Sequence, residues 1–214
     1  MYRIGYIDDE PTQFENIAKK LRRRFEDVEL ILLTNCNTMA EFVNKIYEER
    51  IDVLLVDYKM VKSYGFNGTT LINYINDQIR DLECFILTAV DTEQISDRLV
   101  APRNIKSKTV FDTEAGDKSR EEELEQFIDV LKESADVYQT RREKKIEEYK
   151  ELLKRKEQKK LGSDEEEFLR LYKTLSSYGM VEKLPENLLS SDFDAKLDEL
   201  LSIGEVILEK HSKE

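Results

Sequence analysis

The sequence predicts an α/β fold with a parallel sheet and a helical tail, on three observations. Apolar runs of strand length at 2–7, 28–33, 51–56 and 84–87 alternate with stretches whose apolar residues recur at helical spacing, the pattern that calls for parallel strands joined by helices. The first and third runs end on carboxylates, Asp8-Asp9 and Asp57, so that neighbouring parallel strands would set three acidic groups at one crevice beyond the sheet. From 119 to 160 there is neither Gly nor Pro, and Leu124, Ile128, Leu131, Ala135, Tyr138, Ile146, Tyr149 and Leu153 form an apolar stripe interrupted by Arg142.

The elements follow in order. After strand 2–7, Pro11 suits a first helical position, where a missing N–H costs nothing, and Phe14, Ile17, Ala18, Leu21 and Phe25 recur at helical spacing. Strand 28–33 is followed by Thr38 as a cap, with Glu41 completing a capping box and Phe42, Val43, Ile46 and Tyr47 on the buried side. Strand 51–56 closes on Asp57. Gly65 and Gly68 then fall in what reads as a mobile connection before Leu71, Ile72, Ile75 and Ile79 of another helix. Strand 84–87 ends in Thr88-Ala89, and 91–99 reads as a short helix. For the last strand, 104–107 is a poor pattern and 108–112 a better one, which would put Lys108 at the strand's beginning, away from the crevice. Residues 113–118 lengthen the connection to the final helix.

Three converging carboxylates repel one another unless a cation neutralises them. Mg²⁺ takes one or two carboxylates, waters and a phosphate oxygen, leaving a carboxylate to act as nucleophile. The chemistry expected is phosphoryl transfer to an aspartate. Thr88 supplies a hydroxyl, Ala89 a side chain small enough for a phosphoryl group to reach the backbone, and Lys108 is the best candidate for the compact positive charge that phosphoryl oxygens need.

In this ordered set, Asp8-Asp9, Asp57 within Val56-Asp57-Tyr58-Lys59-Met60, Thr88-Ala89 and Lys108, residues 1 to about 117 and part of the following helix resemble a receiver domain of the two-component response-regulator family. The resemblance implies a doubly wound five-stranded parallel sheet, flavodoxin-like, flanked by five helices. It implies Asp57 as phosphoacceptor, a Mg²⁺ ion held by Asp8, Asp9, Asp57 and the backbone carbonyl of Lys59, a switch and phosphate contact from Thr88, the Ala89 backbone and Lys108, phosphorylation by a histidine kinase or phosphotransfer protein, and slow self-dephosphorylation without other enzymatic activity. Two departures stand out: the family's lysine usually precedes proline, whereas Lys108 precedes Thr109, and the 113–118 segment is extra. A surface lysine at 108 would leave a degenerate receiver.

The remaining sequence narrows the output. Domain limits read as a receiver over 1–135, a helical rod over 136–162 and a small helical bundle or hairpin over 163–214. Gly162 is expected to end the rod and Ser163 to cap a helix carrying Phe168, Leu171, Tyr172 and Leu175, with Asp164 to Glu167 in its first turn and Gly179 as its stop. A last helix would start at Ser190, Ser191 or Asp192 and carry Phe193, Leu197, Leu200, Leu201, Ile203, Val206, Ile207 and Leu208. The stripe lacks a sustained heptad, so a coiled coil and a homodimer are allowed but not signalled.

Net charge is −12 over 214 residues, which disfavours nucleic acid as a partner. Residues 141–160 carry ten basic and five acidic side chains, read as a solvated face with pairs such as Glu151 and Arg155. Both later helices begin with acidic residues, unlike a DNA-reading helix. No apolar stretch approaches 18 residues and no signal-like start is present, so a cytoplasmic protein without a membrane partner is expected. Cys36 and Cys84 read as packing residues. The one histidine, His211, reads as a tail residue.

Three functions are weighed. The first is a phosphorylated switch whose helical tail binds an effector protein; the second is a stand-alone adaptor or phosphate sink for a histidine kinase. The third is a Mg²⁺-dependent phosphohydrolase, disfavoured because Lys59 stands where such enzymes place a general acid.

Overall fold

Alternation of apolar strands and amphipathic helices produces the expected layered sheet in the computed structural model, which describes residues 1–9, 12, 14–90, 95, 98–113, 117–182, 189, 196–197 and 199–203. Strands β1 (Tyr2–Ile7), β2 (Val28–Leu32), β3 (Val53–Asp57), β4 (Cys84–Thr88) and β5 (Ile105–Ser107) are all parallel, in the order β2-β1-β3-β4-β5. This is the doubly wound, flavodoxin-like α/β sheet, with its chain reversal between β1 and β3.

Helices α1 (Phe14–Arg24), α2 (Met39–Glu48), α3 (Val61–Tyr64), α4 (Gly68–Gln78), α5 (Lys118–Glu157) and α6 (Glu165–Ser177) accompany it. Side-chain alternation splits the core into two layers. Ile4, Tyr6, Val53, Leu55, Phe85 and Leu87 share a buried cluster with Ile17, Ala18 and Leu21 of α1 and with Leu124, Phe127, Ile128, Leu131 and Ala135 of α5. Residues of opposite parity, Ile7, Leu54, Val56 and Ile86, are buried as well, as are Phe42 and Ile46 of α2 and Leu71, Ile72 and Ile75 of α4.

Local chemistry explains several boundaries. Thr38 accepts the Glu41 N–H at 3.2 Å, while the Glu41 carboxylate reaches the Asn37 N–H at 2.6 Å, one residue earlier than the expected capping box. Asp52, buried within an apolar run, accepts the Arg3 N–H at 3.0 Å and faces the Arg142 guanidinium at 3.5 Å. That pairing accounts for the only charged interruption of the helical stripe.

The chain divides into two compact units, Met1–Glu143 and Lys144–Glu214, the division falling inside the 40-residue α5. In the second unit Leu152, Leu161, Phe168, Leu171, Tyr172 and Leu189 form a separate core, with Tyr149 stacked on Phe168 at 5.4 Å. Helix α5 stops before Lys159, which takes the left-handed conformation, rather than at Gly162. Asp164, not Ser163, precedes α6, without a side-chain cap, and pairs with Arg155. Pro11, most of 91–99, residues 114–116, the last helix from 190 onward except 196–197 and 199–203, and His211 lie outside the described residues; Arg98 is left-handed at φ 54° and so is not itself helical. Among the described residues no helix is long and apolar enough to cross a membrane.

Candidate functional site

Strand parity and register bring the acidic residues together. Tyr6 pairs with Leu55 and Ile7 with Val56, so Asp8 and Asp57, each next along its strand on the same face, leave the sheet side by side. Ligand oxygens of Asp8, Asp9 and Asp57 lie within 4.8 Å of one another. Asp8 and Asp57 are each 5% exposed, so their charges are largely removed from water.

Lys108 completes the group. Its Nζ donates to Asp8 Oδ2 at 2.6 Å and lies 2.8 Å from Asp57 Oδ1. Against the sequence expectation, the strand is Ile105–Ser107 and not 108–112; Lys106 pairs with Leu87, which in turn pairs with Asp57. Lys108, two residues beyond Lys106, therefore emerges from the carboxyl end on the face of Asp57. Residues Lys108–Phe111 form a 3₁₀ turn that buries Val110 and Phe111 against α1 and α5, which is why that stretch looks apolar.

Further donors hold the carboxylates in place. The Tyr6 hydroxyl donates to Asp8 Oδ2 at 2.7 Å, the same oxygen that Lys108 contacts. Ser63, on α3, donates to Asp9 Oδ2 at 3.2 Å, and the Lys59 backbone N–H hydrogen-bonds the Asp57 carboxylate. The cluster opens into a pocket of about 550 Å³ lined also by Lys59 and Ala89. Thr88 is buried on the opposite face of the sheet; its hydroxyl accepts the Val90 N–H at 3.0 Å and donates to the Val90 carbonyl at 3.4 Å.

Gly68 is the first residue of α4, packed against the backbone of Asp57, and not part of a mobile loop. A Cβ there would stand 2.0 Å from the Asp57 carbonyl oxygen. Neither Tyr6, Ser63 nor the packing of Gly68 was read from the sequence. Tyr6 did carry a signal: two residues before Asp8 on a strand, it must share that residue's face.

Electrostatics follow from burial. Desolvation pushes the Asp57 carboxyl above its usual range; the Lys108 hydrogen bond opposes the rise and the Asp8 charge adds to it. Burial disfavours the Lys108 ammonium, but hydrogen bonds to Asp57 and Asp8 outweigh that and hold its pKa above the usual lysine value. Tyr6 is also raised, through burial and its bond to Asp8. The donor set fits a hard divalent cation: three carboxylates, all oxygen, clustered in a solvent-reaching pocket, with the Lys108 ammonium in contact with two of them.

No family model and no curated protein matches the sequence. Among the solved structures similar to it are two of receiver proteins. One is a CheY-like response regulator receiver domain protein from Methanospirillum hungatei JF-1, 18% identical with a TM-score of 0.44, covering 64% of this chain and 98% of that one. The other is the complex of histidine kinase ThkA with response regulator protein TrrA, 21% identical with a TM-score of 0.42, covering 59% of this chain and 97% of that one.

Proposed function

We propose that this chain is a phospho-accepting receiver, modified on Asp57 and signalling through its helical region. The observation that carries the reading is the Lys108 ammonium seated between Asp8 and Asp57, with Asp9 in the same cluster, at the carboxyl ends of β1, β3 and β5. A phosphoacceptor needs a nucleophilic carboxylate, a cation site beside it and a fixed positive charge for phosphoryl oxygens.

The reaction asks for little covalent machinery. An Asp57 oxygen attacks phosphorus, the bond from phosphorus to the donor nitrogen or oxygen breaks, and the electron pair leaves with the donor. Lys108 exchanges its contact with the Asp57 carboxylate for one with a phosphoryl oxygen. Ala89, lining the pocket without bulk, leaves room for the group; Thr88, which holds Val90 on the other face of the sheet, would contact it only after the end of β4 rearranges. Asp8, Asp9, Asp57 and the Lys59 carbonyl would hold Mg²⁺, which neutralises charge building on the phosphoryl oxygens. Water attack on the acyl phosphate returns Asp57 and inorganic phosphate.

A histidine kinase or phosphotransfer protein is the donor this chemistry suits. For the output we favour a protein partner over DNA: α6 opens with Glu165, Glu166 and Glu167, and the net charge is −12. Labelling decides the central point. A radiolabelled small-molecule phosphodonor with Mg²⁺ is expected to modify the wild type through a bond that hydroxylamine cleaves, and to leave Asp57→Ala unmodified. Equal labelling of both chains overturns the proposal.

A further inference from the structure

Aromatic residues on a buried strand face ordinarily fill space, and the Tyr6 ring does so. It is 2% exposed, in the cluster with Ile17, Leu21 and Leu55, and its ring centroid lies 5.9 Å from that of Phe14. Its hydroxyl needs a partner there, because an unpaired buried O–H keeps the full cost of its desolvation. The partner is Asp8 Oδ2, at 2.7 Å.

The same oxygen also takes the Lys108 ammonium at 2.6 Å. A carboxylate held at one oxygen by a single flexible donor can still rotate about its terminal torsion, which is a broad and weakly restrained one. Tyr6 removes that freedom, since its rigid ring is packed on β1 two residues away and its donor comes from beneath. Two donors of different origin, one from the core and one from the 3₁₀ turn after β5, then fix the plane in which the second Asp8 oxygen lies.

On the reading that Asp8, Asp9 and Asp57 hold a divalent cation, we propose that Tyr6 is a positioning residue for that cation, acting through Asp8. The phenol sets the orientation of the Asp8 carboxylate, as partners behind a metal ligand commonly do. Lys108 alone is a poor substitute, because phosphorylation would draw its ammonium toward the phosphoryl group; the Tyr6 bond keeps Asp8 oriented throughout the cycle.

The test is Tyr6→Phe, which keeps the ring and deletes one oxygen. Mn²⁺ affinity is read by the loss of free-ion electron paramagnetic resonance signal, and the metal-free melting temperature is recorded in parallel. The variant is expected to fold without metal and to bind Mn²⁺ roughly 10- to 100-fold more weakly, the range found for partners of metal ligands. Unchanged Mn²⁺ affinity overturns the inference. So does a variant that no longer folds without metal, which would make the hydroxyl a purely structural group. A wild-type chain that binds no Mn²⁺ instead overturns the cation reading on which the inference rests.

Discussion

Gly68→Ala adds one methyl group at the point where the α4 helix touches the candidate phosphoacceptor, and its effect can be worked from the geometry. The new Cβ would stand 2.0 Å from the Asp57 carbonyl oxygen, 3.0 Å from its carbonyl carbon and 3.1 Å from Ile86 Cδ1. A carbon beside a carbonyl oxygen rests at about 3.3 Å or more, so the α4 start or the Asp57 backbone must retreat by roughly 1.3 Å. Neither side is a flexible side chain. The retreat also strains the bond from the Gly68 N–H to the Tyr58 carbonyl, now 3.0 Å.

Overpacking of this kind costs about 1–3 kcal/mol, and loss of the backbone bond about 1 kcal/mol more. Reduced freedom of the unfolded chain returns about 0.4–1 kcal/mol. The net is a destabilisation of about 1–3.6 kcal/mol, a fall in melting temperature of roughly 2–14 °C for a chain of this size. A displacement near 1 Å at a reacting group can cost about 100-fold in rate, so phosphodonor labelling of Asp57 is expected to slow far more than stability declines. Gly65→Ala is the control. Gly65 has φ +79° and nothing within 4 Å of the added carbon, so backbone strain of about 1–2 kcal/mol should appear without a comparable loss of labelling. A Gly68→Ala chain that melts and labels like wild type, or a Gly65→Ala chain that loses labelling equally, refutes the reasoning.

Other consequences are as concrete. Lys108→Ala leaves the buried Asp8 and Asp57 charges without their ammonium; because Lys108 is a quarter exposed, the loss should be about 1–3 kcal/mol, below that of a fully buried pair, and millimolar Mg²⁺ should restore much of it in thermal melts. Burial holds the Cys84 thiol far above its ordinary 9.0, so the folded chain keeps a proton that the unfolded chain releases. Stability is therefore undiminished by this group below pH 9 and declines above it, at about 1.4 kcal/mol per pH unit; urea titrations of Cys84→Ala should lack that slope, and parallel slopes would remove the explanation. Phe168→Ala, at a fully buried ring stacked on Tyr149, should cost the second unit about 3–5 kcal/mol, seen as faster limited proteolysis within 144–182.

How much of this was legible depended on whether a residue's surroundings are local in sequence. β1, β3 and β4 each combine an apolar run with a polar residue where the strand leaves the sheet, so their ends could be read directly. Asp52, inside the apolar run 51–56, gave no signal of its role because its partners, the Arg3 N–H and Arg142, lie 49 and 90 residues away. Gly68 looked like a flexible joint because glycine marks both loops and close approaches, and only the fold shows that Asp57 lies against it. The presence of one long helix was readable from the lack of Gly and Pro, but its end was not, since Lys159 takes a conformation more usual for Gly.

The fifth strand shows most clearly why local pattern misleads. Ile105, Lys106 and Ser107 are only half-buried at the sheet edge, so nothing selects them as apolar, while Val110 and Phe111 are apolar because they plug the layer under α1 and α5. The choice between the two stretches fixes the chemistry. A strand rises about 3.3 Å per residue, so beginning rather than following a three-residue strand would move Lys108 by roughly 10 Å along the sheet, beyond the reach of its own side chain to Asp57. The observed 2.6 and 2.8 Å contacts to Asp8 and Asp57 therefore require the short edge strand at 105–107 and the 3₁₀ turn that follows it, which the Ser107 hydroxyl opens by accepting the Thr109 N–H at 3.2 Å.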